Sequence, residues 1–336
     1  MFAKTESAAA NWRACFTFDN LIGRESGLEN AVRISKVAAK SSAPVLILGE
    51  SGVGKELFAQ SIHNASRRAQ QPFVSINCGA IPRELIEAEL FGYTPNSFTG
   101  ASNKGAAGKF TLANGGTLFL DEMADLSMDA QVKLLRAISN SEIIRVGGSK
   151  PEKIDVRIIC ATNKNIQKAI EDGNFREDLY YRINVFEVHI PPLRERICDI
   201  NSIVEYFVSR MSKNALGENI KVKISKSFVE NLKKYNWPGN VRQLQAVLER
   251  EIYHLSPPDY ELKHIPDAIL NNSSILNGTG TRLKNIEIKP LKALEEEMIK
   301  AALIKFDWDI SRVCTALEIS RATLYRKINI YKIKHS

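Results

Sequence analysis

Gly49-Glu50-Ser51-Gly52-Val53-Gly54-Lys55 decides how this chain is read. The apolar run Val45-Leu46-Ile47-Leu48 precedes it, and helical periodicity over residues 56–62 follows. Strand, glycine-rich loop, helix is the context a phosphate-binding P-loop requires. Three glycines let backbone N–H groups close around phosphate oxygens, and the helix start adds its positive dipole end. Lys55 then reaches the β- and γ-phosphates as a point charge. Glu56 stands where a Ser or Thr normally touches magnesium.

About seventy residues on, Gly115-Gly116-Thr117-Leu118-Phe119-Leu120-Asp121-Glu122 reads as an apolar strand ending in two carboxylates. Alone, such a pair is an ordinary exposed strand end. Behind a P-loop it points to nucleotide hydrolysis, with Asp121 holding magnesium and Glu122 positioning or deprotonating the attacking water.

From residue 16 to 190, short β-branched runs alternate with amphipathic stretches. Continuous apolar runs mark strands buried on both faces, hence an α/β fold with a parallel sheet and covering helices. Helical periodicity dominates residues 191–255, predicting a small helical domain. Residues 256–290 are rich in Asn, Ser, Gly and Pro and read as a linker. Residues 291–336 are helical again, and residues 1–15 are small and polar, a tail. The 336 residues carry a net charge of +8 and five scattered cysteines with no CxxC pair. That favours reduced thiols and a cytoplasmic location over disulfides or zinc. No apolar run approaches the ~20 residues needed to cross a bilayer, and no membrane partner is expected. Positive charge gathers at the end: from residue 319 on there are five Lys or Arg (Arg321, Arg326, Lys327, Lys332, Lys334) and no acid.

With the P-loop and acidic strand in place, the chain resembles the AAA+ domain of sigma-54-dependent transcriptional activators, the bacterial enhancer-binding proteins. The resemblance covers residues 18–255 and resumes at the C-terminal helix-turn-helix. It is carried by the P-loop ending Lys55-Glu56, Glu89-Leu90-Phe91-Gly92, Ala161-Thr162-Asn163, Phe175-Arg176-Glu177-Asp178-Leu179-Tyr180-Tyr181-Arg182-Ile183-Asn184, Pro191-Pro192-Leu193-Arg194-Glu195-Arg196 and Trp237-Pro238-Gly239-Asn240-Val241-Arg242. In that family Glu56 is usual. The resemblance implies an ATPase that takes ATP and Mg2+ and works as a homo-oligomer, from dimer to hexameric ring. Arg176 and Arg182 resemble the arginine fingers that reach a neighbour's γ-phosphate; the competing reading is surface arginines pairing with Glu177 or Asp178. Arg242 resembles the lid arginine that senses the same phosphate within its own chain, and Asn163 the polar sensor beside it. Asn77 resembles the asparagine that restrains the catalytic glutamate, against the plainer reading of a turn cap.

The family touches sigma-54 through a surface loop reading Gly-Ala-Phe-Thr-Gly-Ala. Here it is Asn96-Ser97-Phe98-Thr99-Gly100-Ala101, so Phe98, Thr99 and Gly100 are the expected contacts with the sigma-54 polymerase. Asn in place of Gly is mild if that residue sits at positive φ, which Asn tolerates. The C-terminal block resembles a Fis-type helix-turn-helix. Ser320 caps its last helix, and Ser320, Arg321, Thr323, Tyr325, Arg326 and Lys327 are the expected DNA contacts. The resemblance therefore implies a transcriptional activator that binds upstream DNA and remodels the closed sigma-54 polymerase complex to the open one. The alternative is a regulator of other promoters that uses nucleotide only to oligomerise. Only about fifteen residues precede the ATPase, so either a separate regulatory protein controls it or the chain is a fragment.

Overall fold

Continuous burial on both faces is what the main sheet shows. The computed structural model describes residues 12–97, 104–216, 220, 222–255, 260–263, 291–317, 319–331 and 333. Strands β1 (Val45–Leu48), β2 (Phe73–Asn77), β3 (Thr117–Asp121), β4 (Arg157–Thr162) and β5 (Phe186–His189) lie in the order β2-β3-β4-β1-β5, all parallel. In the central strands successive side chains go to opposite faces, as the two-residue period demands. Leu118 and Leu120 of β3 enter one core, whereas Phe119 enters the other. All six residues of β4 are buried. The edge strand β2 alternates instead, with Ser75 and Asn77 exposed.

Helices α1 (Glu29–Ala39), α2 (Lys55–Asn64), α3 (Arg83–Phe91), α4 (Met128–Asn140) and α5 (Glu177–Ile183) cover the sheet. Local chemistry starts them: Ser127 accepts from Ala130 N–H at 3.2 Å ahead of α4, the arrangement expected of an N-cap. Arg157, at the start of β4, is 2% exposed and donates to the last carbonyls of α1, Ala38 O at 2.7 Å and Ala39 O at 3.5 Å. A cation at a helix C-terminus satisfies orphan carbonyls and the dipole together.

The lid comprises α6 (Ile200–Leu216), α7 (Lys226–Lys233) and α8 (Asn240–Tyr253), packed around the fully buried Trp237. The indole N–H donates to Leu232 O at 2.8 Å, so the ring is buried without an orphaned donor. Within the stretch read as linker, Glu261–Leu262 pairs in parallel with Lys223–Ile224 and buries Leu262 in the lid core. Two-residue strands leave no periodicity to detect. At the other end Trp12, inside the stretch read as a tail, is docked on the body. Its carbonyl accepts from Phe73 N–H at 2.8 Å, and Lys109 sits over its ring.

Residues 1–272 form one compact unit and 273–336 a second. In the second, α9 (Leu291–Lys305), α10 (Ile310–Leu317) and α11 (Arg321–Tyr331) bury Ile299, Leu303, Val313 and Leu324 against one another. Among the described residues no helix is long and apolar enough to cross a membrane.

Candidate active site

In an open parallel sheet, ligands bind beyond the carboxyl ends of the strands. Four of these ends carry the residues singled out from the sequence. β1 runs into the P-loop, β2 ends at Asn77, β3 at Asp121-Glu122, and β4 delivers Asn163. A cleft of about 940 Å³ opens there. Ser51 to Glu56, Asn77, Asp121, Glu122, Asn163 and Arg242 line its polar side, while Phe16, Leu21, Ile22, Leu28, Ile203 and Phe207 line its apolar end.

The P-loop holds a conformation only glycine adopts easily. Gly52 and Gly54 have φ of +79° and +105°. A Cβ on Gly52 would meet Gly239 O at 2.4 Å, because the turn ahead of α8 lies directly on the loop. A Cβ on Gly54 would meet nothing within 4 Å, which leaves that side of the loop open to a ligand. Lys55 is 7% exposed. Its ammonium donates to Gly49 O (3.0 Å), Glu50 O (3.4 Å) and Glu122 Oε1 (3.2 Å). A buried ammonium needs such partners, and phosphate oxygens could take the same place.

The two carboxylates differ. Burial pushes the Asp121 carboxyl up from its usual range, and the Glu122 charge adds to that, against the lowering effect of Lys55. Glu122 sits at φ +50°, uncommon for a non-glycine residue. Its carboxylate is held from two sides, by Lys55 and by the Asn163 backbone N–H at 3.1 Å. Asn163 thus meets Glu122 through its main chain. Among the described residues there is no cluster of three or more His, Cys, Asp or Glu that could cage an ion. Magnesium needs none: one or two carboxylates plus phosphate oxygens are its usual nucleotide-site ligands. Asp121 with Glu122 beside it fits that donor set.

Asn77 lies in register opposite Asp121, and its amide donates to Asp121 Oδ2 at 3.4 Å. Its carbonyl oxygen accepts from Gly79 and Ala80 N–H at 3.0 and 3.1 Å. The structure therefore brings Asn77 to Asp121 and a turn cap, and not to Glu122. Glu56 is exposed and accepts from Gln60. Arg242 reaches the P-loop, donating to Ser51 Oγ at 3.2 Å.

Arg176 immediately precedes α5 and Arg182 lies in its last turn, and neither lines its own chain's cleft. Arg176 makes a bidentate pair with Asp178 at 2.9 and 2.6 Å, the surface pairing that competed with the finger reading. Phe98, Thr99 and Gly100 lie outside the described residues. At the foot of that loop Asn96 has φ +58°, the left-handed geometry that makes Asn an acceptable stand-in for glycine. Ser97 packs on Gly147, where an added Cβ would approach Ser97 Cβ to 2.5 Å.

Two residues without an expected role join the site. Arg194 makes a bidentate pair with Glu50 at 2.9 and 2.7 Å, and Asn240 donates to Glu50 Oε2 at 3.0 Å. Both lie in sequence runs already singled out, but nothing local points them at the P-loop.

In the second unit, Ser320 accepts from Thr323 N–H at 3.2 Å, as an N-cap does. Arg321 donates to Ser311 Oγ at 2.7 Å, joining α11 to α10. Tyr325 and Arg326 are exposed. Lys327 turns back onto Glu295, which Tyr331 also reaches. Lys327 is thus a tie between α11 and α9.

Comparison with known proteins agrees with this geometry. The family profile described as the Sigma-54 interaction domain matches residues 21–189, the AAA+ ATPase lid domain matches 194–280, and the Fis-family bacterial regulatory protein matches 290–331. The chain belongs to the sigma-54-dependent transcriptional activators. It is 45% identical over 324 residues to a signal-transduction and transcriptional-control protein of Clostridium beijerinckii, covering 96% of this chain and 50% of that one. It is 40% identical to regulatory protein LuxO of Vibrio cholerae, covering 94% of this chain and 70% of LuxO. Among solved structures it resembles NtrX from Brucella abortus in complex with ATP, with TM-score 0.71 and 32% identity over 94% of this chain and 69% of that one. The chain thus spans about half the length of the Clostridium relative.

Proposed function

We propose that this member of the family is an ATP-hydrolysing activator that binds upstream DNA and remodels the sigma-54 polymerase closed complex to the open one. The observation that carries the reading is the meeting of Lys55, Asp121, Glu122 and the lid's Arg242 around one cleft. Lys55 exchanges its loop carbonyls for β- and γ-phosphate oxygens, with the P-loop N–H groups of residues 49–56 around them. The apolar end of the cleft, Leu21, Ile22, Leu28 and Ile203, suits the faces of a nucleobase. Asp121 would hold magnesium, which would supply positive charge against the phosphates. Glu122 orients the attacking water and takes its proton. Asn163 and Asn77 fix the two carboxylates in place.

Arg176 and Arg182 act across a protomer boundary in a ring. Both lie at the ends of α5, outside the lining of their own cleft, which suits them to a neighbour's triphosphate. The Arg176–Asp178 pair is a solvent-screened surface ion pair and is easily exchanged for a phosphate. Motion of the loop carrying Phe98, Thr99 and Gly100 passes the result of hydrolysis to sigma-54. On the second unit, Arg321, Thr323, Tyr325 and Arg326 face the DNA major groove or its phosphates.

Transcription in vitro with sigma-54 polymerase, this protein and ATP tests the reading. Open-complex formation that stops with a non-hydrolysable ATP analogue is the expected result. Hydrolysis with no open complexes at any sigma-54 promoter would favour the alternative, nucleotide used only for oligomerisation.

A further inference from the structure

We propose that Asn240 is a positioning residue: it fastens the start of α8 in the lid to the P-loop and so sets Arg242 against the nucleotide. The proposal rests on the reading of Arg242 as a nucleotide-sensing residue.

Asn240 is fully buried, and three hydrogen bonds satisfy its carboxamide. Oδ1 accepts from Leu193 N–H at 2.8 Å; Nδ2 donates to Glu50 Oε2 and to Ser51 O, each at 3.0 Å. One side chain therefore ties three segments: the P-loop, the chain entering the lid, and the start of α8. Only an amide serves here, since both a donor pair and an acceptor are used. The backbone is bent to bring it there. Trp237 and Asn240 both have positive φ, +48° and +51°, in one four-residue turn closed by Asn240 N–H to Trp237 O at 2.7 Å. Two non-glycine residues in that region mark a turn whose shape the surroundings impose. Glycine at 240 would relieve the strain but make no bond. Two residues along, Arg242 donates its backbone N–H to Gly52 O at 3.4 Å and its guanidinium to Ser51 Oγ. Asn240 and Arg242 thus hold adjacent atoms of the same loop, and displacing the first rotates the second. Arg194, on the other side of Glu50, closes the same clamp from the surface.

The test uses the full chain, Mg2+ and a fluorescent ATP analogue, with steady-state hydrolysis alongside. Asn240→Gly keeps the left-handed backbone, which glycine adopts freely, and removes only the hydrogen bonds. Asn240→Gly is expected to weaken analogue binding and raise KM about tenfold, the scale of one hydrogen bond to a charged group. In an Arg242→Ala background the same change is expected to cost less than about twofold, because residues acting as a unit are not additive. Glu50→Ala repeats the test from the half-exposed P-loop side by removing the acceptor of the Asn240 amide, and the same loss of effect beside Arg242→Ala is expected. Full additivity in both series overturns the role of Asn240 and leaves Arg242 standing. Should Arg242→Ala itself bind the analogue as the unaltered protein does, both readings fall.

Discussion

Replacing Glu122 with Gln isolates the proton-accepting step from the binding of nucleotide. The amide keeps the size of the side chain and can still accept from Asn163 N–H, but it cannot take a proton. A positioned general base contributes ~10²–10⁴ in rate, so kcat should fall by that factor, about 3–5 kcal/mol on the barrier. Binding should survive. Lys55 loses one of three partners and keeps the carbonyls of Gly49 and Glu50. Asp121 gains: its carboxyl is held up first by burial and then by the Glu122 charge, and removing that charge returns it toward the ordinary range. The variant should therefore bind ATP at least as tightly as the unaltered protein while releasing phosphate at a small fraction of the rate. Phosphate release and nucleotide titration in parallel measure both. Turnover within threefold of the unaltered protein would remove Glu122 from the base role. Loss of binding equal to the loss of rate would mean that the Lys55–Glu122 pair holds the loop together, and the argument from chemistry would fail.

Mixing Arg176→Ala chains with Lys55→Ala chains, each inactive alone, should restore part of the ATPase, since some boundaries then pair an intact P-loop with an intact arginine; no rescue at any ratio counts against action in trans. Burial, then the Arg157 charge, pushes His63 from its ordinary 6.5 down to about 4. The folded protein therefore binds fewer protons than the unfolded chain between those values, and stability falls as pH drops through that window, by about 3 kcal/mol. Denaturant melts at pH 7 and 5 should show a steeper loss than in His63→Gln, and equal slopes would refute it. On a DNA duplex, Arg326→Ala should lower affinity and reduce the salt slope by about one. Lys327→Ala should leave the slope unchanged and lower the melting point of the C-terminal unit, because Lys327 is spent on Glu295; a slope reduced as much as for Arg326→Ala would restore it to the DNA face.

Much of the nucleotide site is legible in the sequence because its chemistry needs contiguous residues. A phosphate cradle requires glycines at fixed spacing ahead of a helix, and a carboxylate pair must end a buried strand, so Gly49 to Lys55 and Asp121-Glu122 stand out unaided. The sheet is legible for a related reason: runs such as Val45–Leu48 are apolar at every position only when both faces are covered. What escapes is made of parts distant along the chain. Glu50, Arg194 and Asn240 meet across as many as 190 residues, and no local pattern in any of them names the others. Lys327 fails differently. Basic residues on a last helix read alike in sequence, but which one turns inward depends on an acid in another helix, here Glu295. Trp12 and Leu262 show the limit of composition as a guide to boundaries, since a large apolar side chain can find a docking place even where its neighbours in sequence are small and polar.

The seam between lid and P-loop is polar where an apolar one would be cheaper. Besides Asn240, it contains Arg196 and Asp199, both 2% exposed and 4.0 Å apart. Arg196 donates to Val53 O at 3.1 Å, and Ser26 and Gly27 bond to Asp199. Gly23 and Gly27 have no room for a Cβ because these two side chains occupy it. Burying such a pair costs desolvation that well-packed apolar groups avoid. Apolar contact, however, is non-directional and roughly proportional to area, so a lid held by it alone could slide over the loop with little penalty. Hydrogen bonds with fixed partners favour one registration and penalise intermediate ones. If Arg242 senses nucleotide as proposed, the lid needs discrete settings, and the buried polar groups at this seam are a means of having them.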